Sequence, residues 1–305
     1  MRRRGFLQNR IPDSPKKGRL SEMKAMVLAM KQSDFSRRRR WPAVLTAVFV
    51  FCLTAMAAAA GVSARAPEDN AIGWYFKKTS DHSLPPLDAA LSYIEQYGGY
   101  YADRNASAED PVIYLTFDAG YENGNIAKIL DILKKHNAPA AFFVLSHLIE
   151  AEPALVCRMA EEGHIVCNHT ASHRDITTLD STALKEELSS LAALYRETTG
   201  RDMALYFRPP EGRFDRASLA CVQDMGYRTV FWSLAYADWD NKRQPDPDTA
   251  MQNLLDHTHN GMVLLLHPTS DTNVQILDRL LCAWEEQGYR IGTLDELTAK
   301  VGESS

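Results

Sequence analysis

The sequence predicts an α/β protein built as an incomplete or distorted parallel barrel, on three observations. From residue 111 onward, short apolar runs alternate with helical patterns, and strands that alternate with helices assemble into a parallel sheet. Seven such runs fall within roughly 190 residues, short of the eight units and about 250 residues of a complete barrel. Polar residues with chemical potential also follow six of the runs, at the end where parallel barrels carry their active sites. A doubly wound open sheet is the alternative, but no GxGxxG follows the first run, so a dinucleotide fold has no support.

The predicted strands are 112–117 (VIYLTF), 140–145 (AAFFVL), 164–167 (HIVC), 204–207 (ALYF), 228–233 (RTVFWS), 262–267 (MVLLLH) and 289–292 (YRIG). Ile126, Ile129, Leu130 and Leu133 have the i, i+3, i+4, i+7 spacing of a buried helix face, and Leu184, Leu188, Leu191 and Tyr195 repeat it. Further helices are expected over 248–257 and 274–286. Residues 67–110 hold Trp74, Tyr75, Pro85-Pro86 and a short apolar helix pattern over 87–97, and read as an extension that packs on the main domain, 111–301.

The chain has 305 residues, 45% hydrophobic and 24% charged, with a formal charge of -5. That is a globular composition. The charge is uneven. Residues 1–66 hold 14 of the 34 Lys and Arg against 3 of the 39 Asp and Glu, or +11, and the remainder is -16. A globular part with 20 Lys and Arg against 36 Asp and Glu is a poor candidate for nonspecific nucleic-acid binding, which needs an excess of cations to neutralise phosphates. Arg37, Arg38, Arg39 and Arg40 precede an uncharged stretch at 43–60 that ends in small residues. This has the form of an export signal. It is also about long enough to span a bilayer, for which ~17–25 residues are needed, so a retained anchor over 41–60 is the other reading. Either way the basic flank stays inside and the acidic part goes outside. Cys157, Cys167, Cys221 and Cys282 allow two disulfides or free thiols, and none has CxxC spacing.

Asp118 follows the first run, and His169 and His173 follow the third. Arg208-Pro209-Pro210 follow the fourth, Asp238-Trp239 the fifth, and His267 ends the sixth. Each has an ordinary role available: helix cap, core histidine, ion pair or turn. Their shared end of the sheet points instead to metal-assisted hydrolysis. His169 and His173, spaced i, i+4, put two imidazoles on one face of a helical turn, where a divalent cation can bind. Asp118 would take a proton from water, and Arg208 would keep it ionised. His267 would protonate the leaving amine, since an imidazole titrates near neutrality. The Glu211 N–H, the first donor after two prolines, would complete an oxyanion hole.

In this order the residues resemble the polysaccharide deacetylases of the NodB-homology type, carbohydrate esterase family 4, across roughly 111–292. Thr116-Phe117-Asp118 is similar to the family's first motif, His169-Thr170-Ala171-Ser172-His173 to its metal motif, and Arg208-Pro209-Pro210-Glu211-Gly212 to its groove-wall motif. Asp238-Trp239 and Leu264-Leu265-Leu266-His267 resemble the fourth and fifth. The resemblance implies a distorted (β/α)7 barrel, Asp118 as base, His267 as acid, a divalent metal such as Zn2+, Trp239 lining the acetyl pocket, and Asp238, Glu211 and Arg213 as further substrate-binding residues. Two positions depart from the pattern: Ala119 stands where a second Asp would ligate the metal, and Ala235 where the fourth motif has its first Asp. Two protein ligands then remain, with weaker binding expected and Glu122 as a conceivable substitute. Thr116 through Gly124 (TFDAGYENG), with Gly73-Trp74-Tyr75-Phe76-Lys77-Lys78 upstream, resembles the muramic-δ-lactam-forming peptidoglycan de-N-acetylases of spore formers. This implies glycan strands of peptidoglycan as the partner, an extracytoplasmic location, and Arg208 and Arg213 as candidate cations for an anionic sugar. The competing expectations are an N-acetylglucosamine deacetylase and an inactive wall-binding relative.

Overall fold

The structure is a computed structural model that describes residues 70–299. The basic leader and the candidate signal or anchor at 41–60 lie outside the described residues. No helix among the described residues is long and apolar enough to cross a membrane.

Eleven strands follow in chain order: β1 (Ile72–Gly73), β2 (Gly99–Tyr100), β3 (Val112–Ala119), β4 (Ala141–Val144), β5 (Ile165–Asn168), β6 (Tyr206–Phe207), β7 (Arg213–Phe214), β8 (Arg228–Val230), β9 (Leu234–Ala235), β10 (Met262–Leu266) and β11 (Arg290–Gly292). The main sheet runs β2-β8-β6-β5-β4-β3-β10-β9, with β11 also on β3, and every pairing in it is parallel. The run expected as one strand over 228–233 forms only β8, and the chain just beyond it forms β9. β8 lies between β6 and the edge strand β2, and β9 pairs with β10 at the opposite edge, so one stretch of chain runs from beside one edge of the curled sheet to the other. This is the distorted barrel the sequence predicts, with β8 and β9 sharing one of the seven units.

The apolar periodicity explains both faces. Val112 and Tyr114 pack inside the barrel with Ala141, Phe143, Cys167, Tyr206, Val230 and Val263. Ile113, Leu115, Phe117 and Ala119 point the other way, into the helix layer with Ile126, Ile129, Leu130 and Leu133. A parallel strand buried on both faces therefore reads as an unbroken apolar run. The helices Ile126–Lys135, Ser181–Thr199, Pro247–Asp256 and Asp271–Glu286 fall where the sequence puts them. Ser146–Ala151, Pro153–Glu161, Arg216–Asp224 and Leu294–Ala299 are additional. Two of these carry start signals: Pro153 in the first turn, and Asp215 with Ser218 as a reciprocal cap. The helix pattern at 87–97 is realised as a 3-10 helix, Ser92–Tyr97.

The segment before residue 111 is part of the same fold. β1 pairs antiparallel with β7, and β2 extends the sheet beside β8. Trp74 stacks on Phe231 at 4.4 Å and donates its indole N–H to the Trp232 carbonyl at 2.9 Å. Gly212 has φ +64, and a Cβ there would meet Trp232 at 2.8 Å and Trp74 at 3.0 Å. This packing is why the Pro-Pro-Glu-Gly turn ends in glycine. The four cysteines among the described residues are free thiols.

Candidate active site

Strand register alone levels the polar residues. Leu266 is opposite Phe117, so His267 comes beside Asp118. Val144, Asn168 and Phe207 share a level with Ala119, so His169 and Arg208 emerge together one residue beyond. The result is a cleft of about 730 Å³ lined by Asp118, His169, His173, Glu211, Trp239 and His267, with apolar walls from Leu145, Trp232 and Leu265.

Arg208 is fully buried behind the cleft. Its Nη1 donates to Asp118 Oδ1 at 2.8 Å, and its Nη2 donates to Thr116 Oγ1 at 2.9 Å and the Phe231 carbonyl at 3.2 Å. Its Nε donates to the Val230 carbonyl at 2.9 Å, and the guanidinium lies 4.2 Å from the Phe143 ring centroid. Burial works to raise the Asp118 carboxyl, but the Arg208 guanidinium above all, with the neighbouring His169 and His267 rings, outweighs it and holds the group below the usual aspartate value. Asp118 is therefore ionised and aimed.

His169 donates Nδ1–H to the Arg208 carbonyl at 2.8 Å. Its Nε2 is left with a lone pair, 3.5 Å from Asp118 Oδ2. Burial, only partly opposed by Asp118, pushes the imidazole down to about 4, so it is neutral near pH 7. His173 stands beside it with ring centroids 5.1 Å apart. The i, i+4 spacing does not work through a helical turn, as the sequence suggests. Residues 169–175 are a loop, with Thr170 at φ 68 and His173 at φ 58. Asn168 Oδ1 accepts from the Thr170 N–H and Thr170 Oγ1 from the His173 N–H, and these bonds fold the loop so that the rings meet.

His267 faces the cleft and donates Nδ1–H to Asp238 Oδ1 at 2.8 Å, while its backbone N–H donates to Asp238 Oδ2 at 2.7 Å. Burial would lower its pKa, but the hydrogen bond and charge of Asp238, with Asp118 beyond, raise it above the ordinary histidine value. Asp238 is expected from the sequence as a substrate-binding residue. The structure corrects this: it is fully buried and is not among the cleft-lining residues, because its carboxylate is taken up by His267 and by Asn273 Nδ2 at 2.7 Å. Asn273, held in turn by the Tyr236 hydroxyl, was not singled out. Its signal is a polar residue on the apolar stripe with Ile276, Leu277 and Leu280.

Three other expectations change. Arg208 cannot reach a substrate anion, being buried against Asp118. Arg213 pairs with Asp175 at 2.9 Å and is not among the cleft-lining residues. Glu122 is not a ligand substitute, since its carboxylate accepts from the Gly124 and Ile126 N–H groups at a helix start. Glu211 does line the cleft, at φ 55, and Trp239 stands at its mouth, 63% exposed.

Two imidazoles side by side suit a divalent cation, and the bond from His169 Nδ1–H to the Arg208 carbonyl leaves Nε2 free to ligate. Ala119 adds nothing, as its methyl is buried in the helix layer. Among the described residues no three His, Cys, Asp or Glu side chains converge on a metal position. The residues therefore fit a cation held by His169 and His173 and completed by water or substrate.

Residues 105–230 match the polysaccharide deacetylase family. The chain is 36% identical over 249 residues to the peptidoglycan-N-acetylmuramic acid deacetylase PdaA of Bacillus subtilis, covering 81% of this chain and 94% of that protein. An uncharacterised 30.6 kDa protein of Geobacillus stearothermophilus is 41% identical over 235 residues, covering 76% of this chain and 87% of its own. Among solved structures, Bacillus subtilis PdaA, a family 4 carbohydrate esterase, superposes with a TM-score of 0.72 at 38% identity, over 76% of this chain and 98% of that one.

Proposed function

This chain belongs to the polysaccharide deacetylase family, hydrolases acting on an amide bond, and from that premise we propose that it removes the acetyl group from N-acetylmuramic acid in peptidoglycan. The observation that carries this reading is the opposed pair on the rim: Asp118 held down by Arg208, and His267 held up by Asp238. Two groups pushed apart in pKa are what hydrolysis with a base and an acid requires. Asp118 takes a proton from water as the oxygen attacks the acetyl carbon. The tetrahedral oxyanion forms beside Glu211, whose N–H is the proposed donor. It collapses as His267 gives its Nε2 proton to the departing amine, so acetate and a free amino sugar result. A divalent cation on His169 and His173 supplies Lewis-acid polarisation of the acetyl carbonyl when bound. The freed amine of a muramic acid without its stem peptide can then condense with the lactyl carboxyl group, with loss of water, to a δ-lactam. Such a substrate places the protein outside the cytoplasm, at the cell wall.

Incubation with glycan strands stripped of stem peptides, followed by mass spectrometry, tests the reading. Loss of acetyl from muramic acid is expected; a protein that releases no acetate with divalent ions added contradicts it. One observation favours N-acetylglucosamine as a second reading. The cleft lining contains Asp118 and Glu211 but no Lys or Arg, and such a wall suits a neutral sugar better than a lactyl anion. The same spectra show which sugar has lost its acetyl.

Chelation is expected to abolish turnover and added Zn2+ to restore it. His169→Ala should lower turnover to the level of the chelated parent, and added Zn2+ should not restore it. A chelator-insensitive parent would remove the metal from this reading.

The alkaline limb of kcat/KM is expected to move to lower pH in Asp238→Asn. The limb marks loss of the His267 proton in the free enzyme. Asp238 raises that pKa, and without its charge burial lowers it. The position of the limb separates this from a simple loss of folded protein; an unmoved limb would mean that His267 is not the acid.

A further inference from the structure

Four large side chains of apolar or aromatic type are markedly exposed among the described residues, and the two that line the cleft, Tyr121 and Trp239, are both aromatic. Their positions follow from the strand order. Tyr121 lies two residues beyond β3 and Trp239 four beyond β9, while β10, which ends at Leu266 just before His267, runs between those strands. The two rings therefore stand on either side of the strand that carries the proposed acid. Trp239 is in the segment that resembles the fourth motif of the deacetylase family. Tyr121 has no assigned role.

Tyr121 is 60% exposed, yet it stands on a fixed turn. A Cβ on the preceding Gly120 would come within 2.5 Å of Leu145 Cδ1, so the chain passes hard against that side chain. The following turn is tied by Glu122 to the Gly124 and Ile126 N–H groups. The Tyr121 ring lies 4.8 Å from the exposed ring of His147, tilted by 47°. Its hydroxyl makes no hydrogen bond with any described residue. An amphipathic ring held at a cleft mouth, apolar on its face and polar at its tip, matches a pyranose, which offers C–H groups on one face and hydroxyls at its rim.

We propose that Tyr121, backed by His147, is a stacking wall for the pyranose adjoining the one that is deacetylated, so that it sets the preference for longer glycan strands. Tyr121 is here a specificity residue, remote from the proton transfers. The proposal rests on the glycan-deacetylase reading, but on neither choice of reacting sugar.

The test uses the full chain and two series of oligomers of increasing length, one of N-acetylglucosamine and one of peptide-free strands containing N-acetylmuramic acid. In the parent, kcat/KM should rise from the shortest to the longest oligomer. In Tyr121→Ala that ratio should fall by about 2- to 10-fold, the scale of one aromatic stacking contact. The change should appear in KM, and Tyr121→Phe and Tyr121→Trp should restore most of it. Binding of the same oligomers by chains carrying Asp118→Asn, with and without Tyr121→Ala, should lose the same length increment without any turnover. A wrong choice of sugar shows as turnover of the other series. On whichever series is turned over, a ratio unmoved by Tyr121→Ala, or a loss equal at every length, or Phe and Trp variants that behave as Ala, would overturn the stacking wall.

Discussion

Asp118→Asn is expected to lower kcat by about 10²–10⁴-fold, the usual contribution of a positioned general base. The amide keeps an oxygen for Arg208 Nη1, whose bond to Asp118 Oδ1 is 2.8 Å, so the rim geometry survives while the proton acceptor is gone. KM should change far less than kcat, because the lost interaction belongs to the transition state. His267→Ala should cost a similar factor, and the double variant should fall well short of the product of the two losses, since base and acid serve one reaction. Single-turnover acetate release reads all three. Near-parental turnover in Asp118→Asn would sink the base assignment. Multiplying losses in the double variant would show that the two residues do not act as a unit.

Arg208→Met should destabilise the fold by about 3–5 kcal/mol, the cost of breaking a buried ion pair from one side, and abolish turnover with it. The methionine replaces much of the stem volume but none of the polar contacts. Asp118 would then sit in the barrel mouth without its cation, and the Val230 and Phe231 carbonyls and Thr116 Oγ1 would lose the donor they now have. Left without that charge, the Asp118 carboxyl should rise, because burial is the opposing influence. Urea midpoints for parent and variant check the stability, and a loss below about 1 kcal/mol would mean that Arg208 is an ordinary ion-pair partner at a wet site.

The fold was legible wherever period and burial agree. VIYLTF and MVLLL are buried on both faces in the barrel wall, and the leucine spacing over 184–195 marks the buried stripe of Ser181–Thr199. The helices Ser146–Ala151 and Pro153–Glu161 escaped because they are short and each shows only two buried residues. Helix Arg216–Asp224 escaped although its cap is explicit, since its stripe mixes Ser218, Leu219, Cys221 and Val222. At the site, side-chain types were read correctly more often than their duties. His169 and His173 do meet, but through a loop with two residues at positive φ, which spacing cannot distinguish from a helical turn. Asp238 looked like a binding group because it stands at the end of a run; its burial against Asn273 and His267 makes it an orienting one.

By itself the sequence determined that strands and helices alternate, that the acidic globular part carries a rim of Asp, His and Arg, and that Ala119 offers a metal no ligand. These are local properties: a period of two or 3.6, or the presence of an atom. Tertiary structure alone decided which partner each rim residue has, because those partners lie far apart in the chain. Arg208 reaches Asp118 across 90 positions and His267 reaches Asp238 across 29. Whether a charged group meets its counterion, a carbonyl or open water depends on strand register and on how the sheet returns upon itself, and an apolar pattern carries no record of either.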